Sequence, residues 1–292
     1  MTIDEAYKEC LGILKNAGIA DAETDTDLLL EYVCKISRGY RLGHGCEELM
    51  LSCTDDIEVR FMDAVNKRAK RIPLQHITGK QEFMGLTFKV NPSVLIPRFD
   101  TETLVEETLK HVHDGMKILD MCTGSGCILI SLLNYSNGCI GVGADISEEA
   151  LEVARENADR LLKDKDDINI SYVNSNIFSA FKEGEDLFDI IVSNPPYIKS
   201  AVIDTLETEV KDYDPRIALD GGEDGLYFYK EIISKAPKFL KGSGVLALEI
   251  GYDEGDEVSS LMKENHFTEV NIIKDLSGND RVVTGIRKCL IS

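Results

Sequence analysis

The chain has 292 residues, of which 43% are hydrophobic and 29% charged, so it can form a packed core and is not globally disordered. Its 32 basic and 52 acidic side chains give a formal net charge of −20 at pH 7, which disfavours non-specific binding to nucleic acids but leaves room for a local basic site. No apolar run reaches the roughly 18 residues of a membrane span. The acidic start MTIDEAYKEC lacks the features of a signal peptide, so we expect a cytoplasmic protein.

The first 79 residues contain three apolar stripes with helical spacing. They consist of Ile3, Tyr7, Cys10, Leu11 and Leu14; of Leu28, Leu29, Tyr32, Val33 and Ile36; and of Ile57, Phe61, Ala64, Val65, Arg68 and Ala69. The stripes indicate burial and show nothing catalytic. We therefore predict a small helical bundle over residues 1–79.

A short hairpin is predicted after Pro73. Apolar residues at 83, 86, 88 and 90 stand among Gly85, Lys89 and Asn91, a pattern typical of two short strands with a tight turn. We interpret residues 80–95 as a β-hairpin linker between two domains.

Beyond residue 116, strand patterns alternate with helical ones. Strands are predicted at 117–121, 139–145, 168–173, 187–193, 244–250, 270–273 and 281–286, and a helix at about 147–162. Such alternation is typical of an α/β domain with a doubly wound, mostly parallel sheet that helices cover on both faces. We assign residues 96–292 to this seven-stranded domain.

The first of these strands leads into a glycine-rich turn, Asp120-Met121-Cys122-Thr123-Gly124-Ser125-Gly126. Glycines let a ligand approach the backbone, and the following helix N-terminus offers free N–H groups. Asp145 ends the second strand, where doubly wound folds place a carboxylate that binds ribose hydroxyls. The turn lacks the third glycine of G-x-G-x-x-G, and Asp120 suits an amino or sulfonium group, which favours S-adenosylmethionine over NAD. An ordinary strand–helix turn remains the alternative.

The segment Asn194-Pro195-Pro196-Tyr197 follows the strand at 187–193, so it lies at the carboxyl edge of the sheet. A simple turn is the alternative interpretation. The prolines stiffen the backbone, so the Asn194 amide and the Pro195 carbonyl can accept both hydrogens of a planar NH₂ group and aim its nitrogen at a sulfonium methyl group. Tyr197 can pack on that flat group. With S-adenosylmethionine, the segment indicates methylation of an amino group conjugated to a π system.

Metal chemistry is not expected. The eight cysteines form no CxxC pair, and the five histidines are dispersed. This pattern is typical of reduced thiols and predicts neither a disulfide framework nor a metal site.

Over nearly its whole length the sequence resembles the release-factor glutamine methyltransferases (PrmC/HemK family). The matching motifs are PLQHITG at 73–79, VLIPRFDTE at 94–102, the glycine-rich turn, NPPY at 194–197, GGEDG at 221–225 and LEIG at 248–251. The resemblance implies a class I S-adenosylmethionine-dependent methyltransferase fold behind a bundle that docks the substrate. It also implies methylation of the side-chain amide nitrogen of the glutamine in the Gly-Gly-Gln motif of peptide chain release factors.

The resemblance also implies the site residues. Those expected to bind the cofactor are Asp120, Cys122, Thr123, Gly124, Ser125, Gly126, Asp145, Asn176, Ile177 and Asn194. The substrate would be held by Asn194, Pro195, Pro196, Tyr197 and Arg98, and Asn194, Pro195 and Tyr197 would be catalytic. Arg98 and Glu102 would either help to close the pocket or form a structural ion pair.

Three positions depart from the family pattern. Phe99 replaces a usual proline, and His76, for which we expect a packing role, replaces a usual aromatic residue. Asn176 stands where an acidic residue is common; it keeps one acceptor oxygen for the adenine amine, so we expect weakened binding.

Three other functions stay open at this point. The first is methylation of a ribosomal-protein glutamine, and the second is methylation of an adenine-type amino group in nucleic acid, which the net charge of −20 disfavours. The third is a binding module that has lost activity, which the intact Asp145 and NPPY segment disfavour. We expect no stable nucleic-acid or membrane partner.

Overall fold

The computed structural model describes residues 1–49, 56–165 and 169–288. The chain forms two compact units. One consists of Met1–Gly79 with Glu207–Tyr213, and the other of Lys80–Leu206 with Asp214–Ser292. Within the described ranges, no helix is both long enough and apolar enough to cross a membrane.

The helices and strands follow each other in this order: α1 (Ile3–Asn16), α2 (Ala22–Cys34), α3 (Arg38–His44), α4 (Ile57–Ala69), α5 (Leu74–Thr78), β1 (Lys80–Phe83), β2 (Leu86–Lys89), α6 (Glu102–Leu109), β3 (Lys117–Met121), α7 (Cys127–Asn134), β4 (Ile140–Asp145), α8 (Glu148–Leu161), β5 (Asn169–Asn174), β6 (Phe188–Ser193), α9 (Ser200–Ile203), α10 (Thr208–Lys211), α11 (Tyr227–Lys235), β7 (Leu240–Glu249), α12 (Gly255–Glu264), β8 (Phe267–Lys274) and β9 (Asp280–Arg287).

The first unit contains the predicted helical bundle. Helix α1 begins at a capping box, in which the Glu5 N–H donates to Thr2 Oγ1 at 3.2 Å and the Thr2 N–H donates to Glu5 Oε2 at 2.8 Å. The predicted stripes of α1 and α4 supply the fully buried Leu14 and Phe61. The short α10 also belongs to this unit, where Glu209 accepts hydrogen bonds from Arg68 and Arg71 at 3.2 and 2.9 Å.

The buried face of α2 differs from the predicted stripe. Leu28 and Tyr32 are 42% and 40% exposed, whereas Asp25 is buried. Asp25 Oδ2 accepts a hydrogen bond from Arg68 Nε at 2.6 Å. A hydropathy pattern counts Asp25 as a surface residue, and its burial becomes tolerable only because α4 supplies a charged partner.

The second unit begins with the predicted hairpin. Phe83 pairs with Leu86, and the two turn residues Met84 and Gly85 have φ angles of 49° and 69°, as a type I′ turn requires. Phe83 and Phe88 are buried in the core of the second unit, with an edge-to-face contact at 6.0 Å between their ring centroids.

The predicted mostly parallel, seven-stranded sheet is confirmed. Its strand order is β5-β4-β3-β6-β7-β9-β8, with parallel pairing from β5 to β7 and antiparallel pairing of β9 with both of its neighbours. The chain places β4 on one side of β3 and β6 on the other. In open α/β sheets, a change in the direction of strand order creates a crevice at the carboxyl ends of the strands, and ligands bind in that crevice.

Most strand limits lie within a residue or two of the predicted ones. The larger differences are in β7, which begins at Leu240 instead of 244, and in β8, which extends the predicted 270–273 at both ends. Leu240 pairs with Phe188, and the register then shifts before Ile190 pairs with Val245, so β7 starts ahead of a polar stretch that has no strand pattern. Ile168, predicted to open β5, lies outside the described residues. Helix α8 is capped by Ser147, whose Oγ accepts the Ala150 N–H at 3.2 Å.

Candidate active site

A cavity of about 270 Å³ lies at the carboxyl edge of the sheet. Its wall contains Cys122 and Gly124 after β3, Asp145 at the end of β4, Asn176 after β5 and Asn194 after β6. The strand order therefore brings together side chains that are widely separated along the chain.

Most of the predicted site residues line this cavity: Arg98, Cys122, Thr123, Gly124, Ser125, Asp145, Asn176, Ile177, Asn194 and Pro196. Four predicted site residues are not part of the described lining: Asp120, Gly126, Pro195 and Tyr197.

Asp120 lies beneath the glycine-rich turn and supports it. Its side chain is fully buried, and Oδ2 accepts hydrogen bonds from Thr123 Oγ1 at 2.6 Å and from the Leu129 N–H at 3.3 Å. Burial raises the pKa of this carboxyl to about 7, although both hydrogen bonds favour the charged form. The contact of Asp120 with the cofactor stays a prediction; in the structure its side chain holds the glycine-rich turn and the first turn of α7.

The two glycines of the turn have different tasks. Both have positive φ angles, 54° at Gly124 and 79° at Gly126, which favour glycine. A Cβ at Gly126 would come within 2.9 Å of Ile130 Cδ1 and 3.2 Å of Ala154 Cβ, whereas one at Gly124 would meet nothing within 4 Å. Position 126 thus requires glycine both for its backbone conformation and for the close packing of α7 on α8. Position 124 requires glycine only for its backbone conformation.

This difference predicts unequal losses of stability. We expect Gly126→Ala to lower the free energy of unfolding by about 2–4 kcal/mol, from backbone strain together with overpacking. The matched variant Gly124→Ala is expected to cost about 1–2 kcal/mol, from strain alone. Urea denaturation followed by circular dichroism measures both, and equal losses would contradict the distinction.

Asp145 connects the turn to the start of α8. Its Oδ2 accepts the Gly124 N–H at 2.9 Å and its Oδ1 accepts the Ser147 N–H at 2.9 Å. Burial raises the pKa of Asp145, and the backbone N–H donors oppose that shift. Each carboxylate oxygen keeps a lone pair for a further donor such as a ribose hydroxyl.

The lining also offers an unsatisfied polar group. The Ser125 hydroxyl is on a side chain only 2% exposed, lines the cavity and has no hydrogen-bond partner among the described residues. A buried hydroxyl without a partner costs free energy, which a polar ligand would recover. The carboxylate and the hydroxyl therefore fit a nucleoside, whereas the N–H groups of Thr123, Gly124 and Gly126 already have acceptors within the protein.

Two cavity residues have strained backbone conformations. Cys122 has φ 61° and Ile177 has φ 51°, values that are uncommon outside glycine and exceptional for a β-branched residue. Such strain costs on the order of 1–3 kcal/mol per residue and is concentrated at functional sites. The strain therefore marks these two loops as candidates for ligand binding.

The NPPY segment forms the wall next to β6. The Asn194 Nδ2 donates to Thr101 Oγ1 at 3.4 Å, which leaves the amide oxygen available to another donor. Tyr197 was predicted to pack on the planar substrate group. That packing stays a prediction; in the structure the Tyr197 hydroxyl donates to Glu249 Oε1 at 3.5 Å, which anchors the segment.

Two family models match this chain. Residues 5–79 match the one described as PrmC N-terminal domain, and residues 112–282 the one described as methyltransferase domain. The chain is 40% identical to the release factor glutamine methyltransferase of Caulobacter vibrioides, over 100% of this chain and 99% of the relative. It is 42% identical to the protein of that name from Geobacter sulfurreducens, over 97% and 96% of the two chains. The chain belongs to the release factor glutamine methyltransferase family.

A solved structure shows the same fold. A methyltransferase from Pyrococcus furiosus is 20% identical to this methyltransferase and superposes with a TM-score of 0.53, over 81% of this chain and 100% of that one.

Arg98 and Glu102, for which closure of the pocket and a structural ion pair were the two alternatives, have different partners in this methyltransferase. Arg98 lines the cavity, and its Nη2 donates to the buried Asp214 at 2.7 Å. Glu102 Oε1 accepts the Met84 N–H of the hairpin turn at 2.6 Å. Each side chain thus has a separate partner, and Glu102 supports the hairpin.

The three departures from the family pattern occupy different surroundings. Phe99 is 70% exposed and begins the short 3₁₀ turn Phe99–Thr101. His76 is half-buried on α5 in the first unit, and Asn176 is an exposed residue of the cavity wall.

Sequence reasoning missed several lining residues of this methyltransferase. They are Ser93, Val94, Leu95, Pro97, Thr101, Met121, Cys127, Ile128, Ile146, Ser147, Ala150, Ser175, Pro215, Ile217, Ala218, Tyr227 and Phe228. Most are apolar or backbone contacts, which have no chemical signature in a sequence. The polar exceptions are Ser93, Thr101, Ser147, Ser175 and Tyr227, of which Thr101 lies within the VLIPRFDTE motif.

Proposed function

We propose that this methyltransferase transfers a methyl group from S-adenosylmethionine to the side-chain amide nitrogen of the glutamine in the Gly-Gly-Gln motif of peptide chain release factors. One observation carries the proposal: the Asn194 carboxamide shares a single cavity with Asp145 and the glycine-rich turn. The Asn194 carboxamide, which can orient a substrate amide, therefore borders the site that we propose for the nucleoside of the cofactor. The proposed reaction takes place in the cytoplasm, where we expect the protein.

The cofactor would be held by residues of three loops. Asp145 would accept from the ribose hydroxyls, the glycine-rich turn would contact the ligand through the Ser125 hydroxyl, and Asn176 and Ile177 would contact the adenine. When bound, the cofactor supplies an electrophilic methyl group on a positively charged sulfur.

The protein's task is then to present a poorly nucleophilic amide in one orientation. The nitrogen lone pair of a carboxamide is delocalised, and its two hydrogens need two acceptors. We assign these acceptors to the Asn194 amide oxygen and the Pro195 carbonyl oxygen, which favour the positive charge that develops on nitrogen during transfer. Pro195 and Pro196 are buried, which holds the segment rigid.

A strong general base is not part of this mechanism. Asp145 is the sole carboxylate in the described lining, and backbone N–H groups already occupy it on both oxygens. The proton can leave after methyl transfer, when the nitrogen is positively charged and acidic. Orientation and charge stabilisation therefore account for the chemistry.

The decisive experiment is transfer of labelled methyl from S-adenosylmethionine to a purified release factor. We expect label on the wild-type factor and none on a Gln→Ala variant of its Gly-Gly-Gln motif. Ribosomal proteins and DNA are offered in parallel reactions. Label that persists on the variant, or that appears only on ribosomal protein or DNA, would reject the proposed substrate.

A further inference from the structure

A polar cluster of buried side chains lies next to Asn194. Thr101 and Glu249 are both 2% exposed and come from distant parts of the chain, the 3₁₀ turn before α6 and the end of β7. Thr101 Oγ1 accepts from Asn194 Nδ2 at 3.4 Å, and the Thr101 hydroxyl is close enough to the Glu249 carboxylate to lower the pKa of that group. Tyr197 donates to Glu249 Oε1, and the Tyr229 hydroxyl donates to the Glu249 backbone oxygen at 3.0 Å.

We propose that Glu249, acting through Thr101, is a positioning residue that keeps the Asn194 amide oxygen turned towards the substrate. This inference rests on the proposed function, because it assigns the Asn194 oxygen to the substrate amide.

The argument concerns the direction of each hydrogen bond. A threonine hydroxyl has one hydrogen to donate and lone pairs to accept. An ionised carboxylate accepts only, so it takes the Thr101 hydrogen and leaves Thr101 as an acceptor towards Asn194. The Asn194 NH₂ group is then the end bonded to Thr101, and the amide oxygen is left free to accept from the substrate.

When Glu249 is protonated, it no longer needs the Thr101 hydroxyl hydrogen as a donor, and the hydrogen bond between Thr101 and Asn194 can reverse its direction. The Thr101 hydroxyl can then donate to the Asn194 oxygen, which turns the carboxamide by half a revolution. In that orientation the Asn194 NH₂ group faces the substrate NH₂ group. Both groups are hydrogen-bond donors, so no hydrogen bond forms between them. The rate of methyl transfer would fall although every residue of the cavity is still present.

The surroundings of Glu249 connect its protonation state to the direction of the Thr101 hydrogen bond. Its Oε2 has no hydrogen-bond partner in the described part of the chain, and the adjacent Thr101 hydroxyl is a donor that can satisfy it. Burial raises the pKa of Glu249 to about 7, although the nearby Thr101 hydroxyl and the positive charge of Arg281 lower it. The other titratable groups that interact with Glu249 are Asp100, Tyr197, Tyr229 and Cys127.

The test begins with Thr101→Val, which keeps the shape of the side chain and removes its hydroxyl. We expect kcat for release-factor methylation to fall by about 10²-fold because the carboxamide loses its orientation, with KM for S-adenosylmethionine within about twofold of wild type. Thr101→Ser restores the hydroxyl and should restore kcat. Thr108→Val is the matched control, since Thr108 is also fully buried but its hydroxyl bonds only to Leu104 O of its own helix.

A pH profile separates positioning from packing. As the pH falls through about 7, Glu249 takes up a proton, so wild-type kcat should decline there. Glu249→Gln cannot titrate, and its NH₂ group can donate to Thr101, so we expect a low kcat without this decline. Asp120 and Glu254 also have pKa values raised to about 7 by burial, and a decline that persists in Glu249→Gln would assign it to them and overturn the inference.

The outcomes are distinct. If the wild-type enzyme labels no release factor, the proposed function fails. If it does, but Thr101→Val retains wild-type kcat or Thr101→Ser fails to restore it, the positioning role fails and the function stands. Should Thr101→Val not fold, as judged by thermal unfolding, the Glu249→Gln profile decides.

Discussion

Replacing Asn194 with alanine is expected to lower kcat for release-factor methylation by about 10³-fold, because the substrate amide loses one of its two acceptors and its fixed orientation. The Kd of S-adenosylmethionine should change by less than about threefold, since the NPPY segment serves mainly the substrate. Single-turnover kinetics with labelled cofactor measures the first quantity and calorimetry the second.

The matched control for this variant is Asn271→Ala. Asn271 is exposed on β8, and its side chain donates only to the Glu269 backbone oxygen. We expect wild-type rates from it. Methylation by Asn194→Ala at a rate comparable to that of wild type would refute the role assigned to the carboxamide. A cofactor Kd that rises in parallel with the loss of rate would show instead that Asn194 serves the cofactor.

Asp145→Ala is expected to raise the Kd of S-adenosylmethionine by about 10- to 100-fold. Hydrogen bonds to a charged group contribute about 1.5–3 kcal/mol, and the change removes those expected to the ribose. It also removes the acceptor that holds the Gly124 N–H, so the turn itself loosens. Calorimetric titration of the purified enzyme with the cofactor measures the effect.

Two further variants make this result specific. Asp145→Asn keeps one acceptor oxygen and should lie between wild type and Asp145→Ala. Asp159→Ala removes an exposed carboxylate of α8 and should bind the cofactor as wild type does. An unaltered dissociation constant for Asp145→Ala would contradict the assignment of the ribose site.

Most of the sheet could be predicted because its strands carry local signals. Apolar runs bounded by turn residues mark β3, β4 and β6 within one residue of their observed limits. The functional loops follow from the same rule, since in a parallel sheet the residue after each strand lies at one edge. Asp145 and Asn194 could therefore be assigned to a common site without knowledge of any contact between their loops.

By itself, then, the sequence determined the fold class, the glycine-rich turn, the Asp145 position and the NPPY segment, because each depends on residues close together along the chain. Only the tertiary structure decided that Asp120 supports the turn from beneath, that Asp25 is buried against Arg68, and that Thr101 meets Asn194 across 93 residues. These contacts depend on which strands and helices become neighbours. A local pattern of polar and apolar residues specifies which face of an element is buried but not the side chain that it meets.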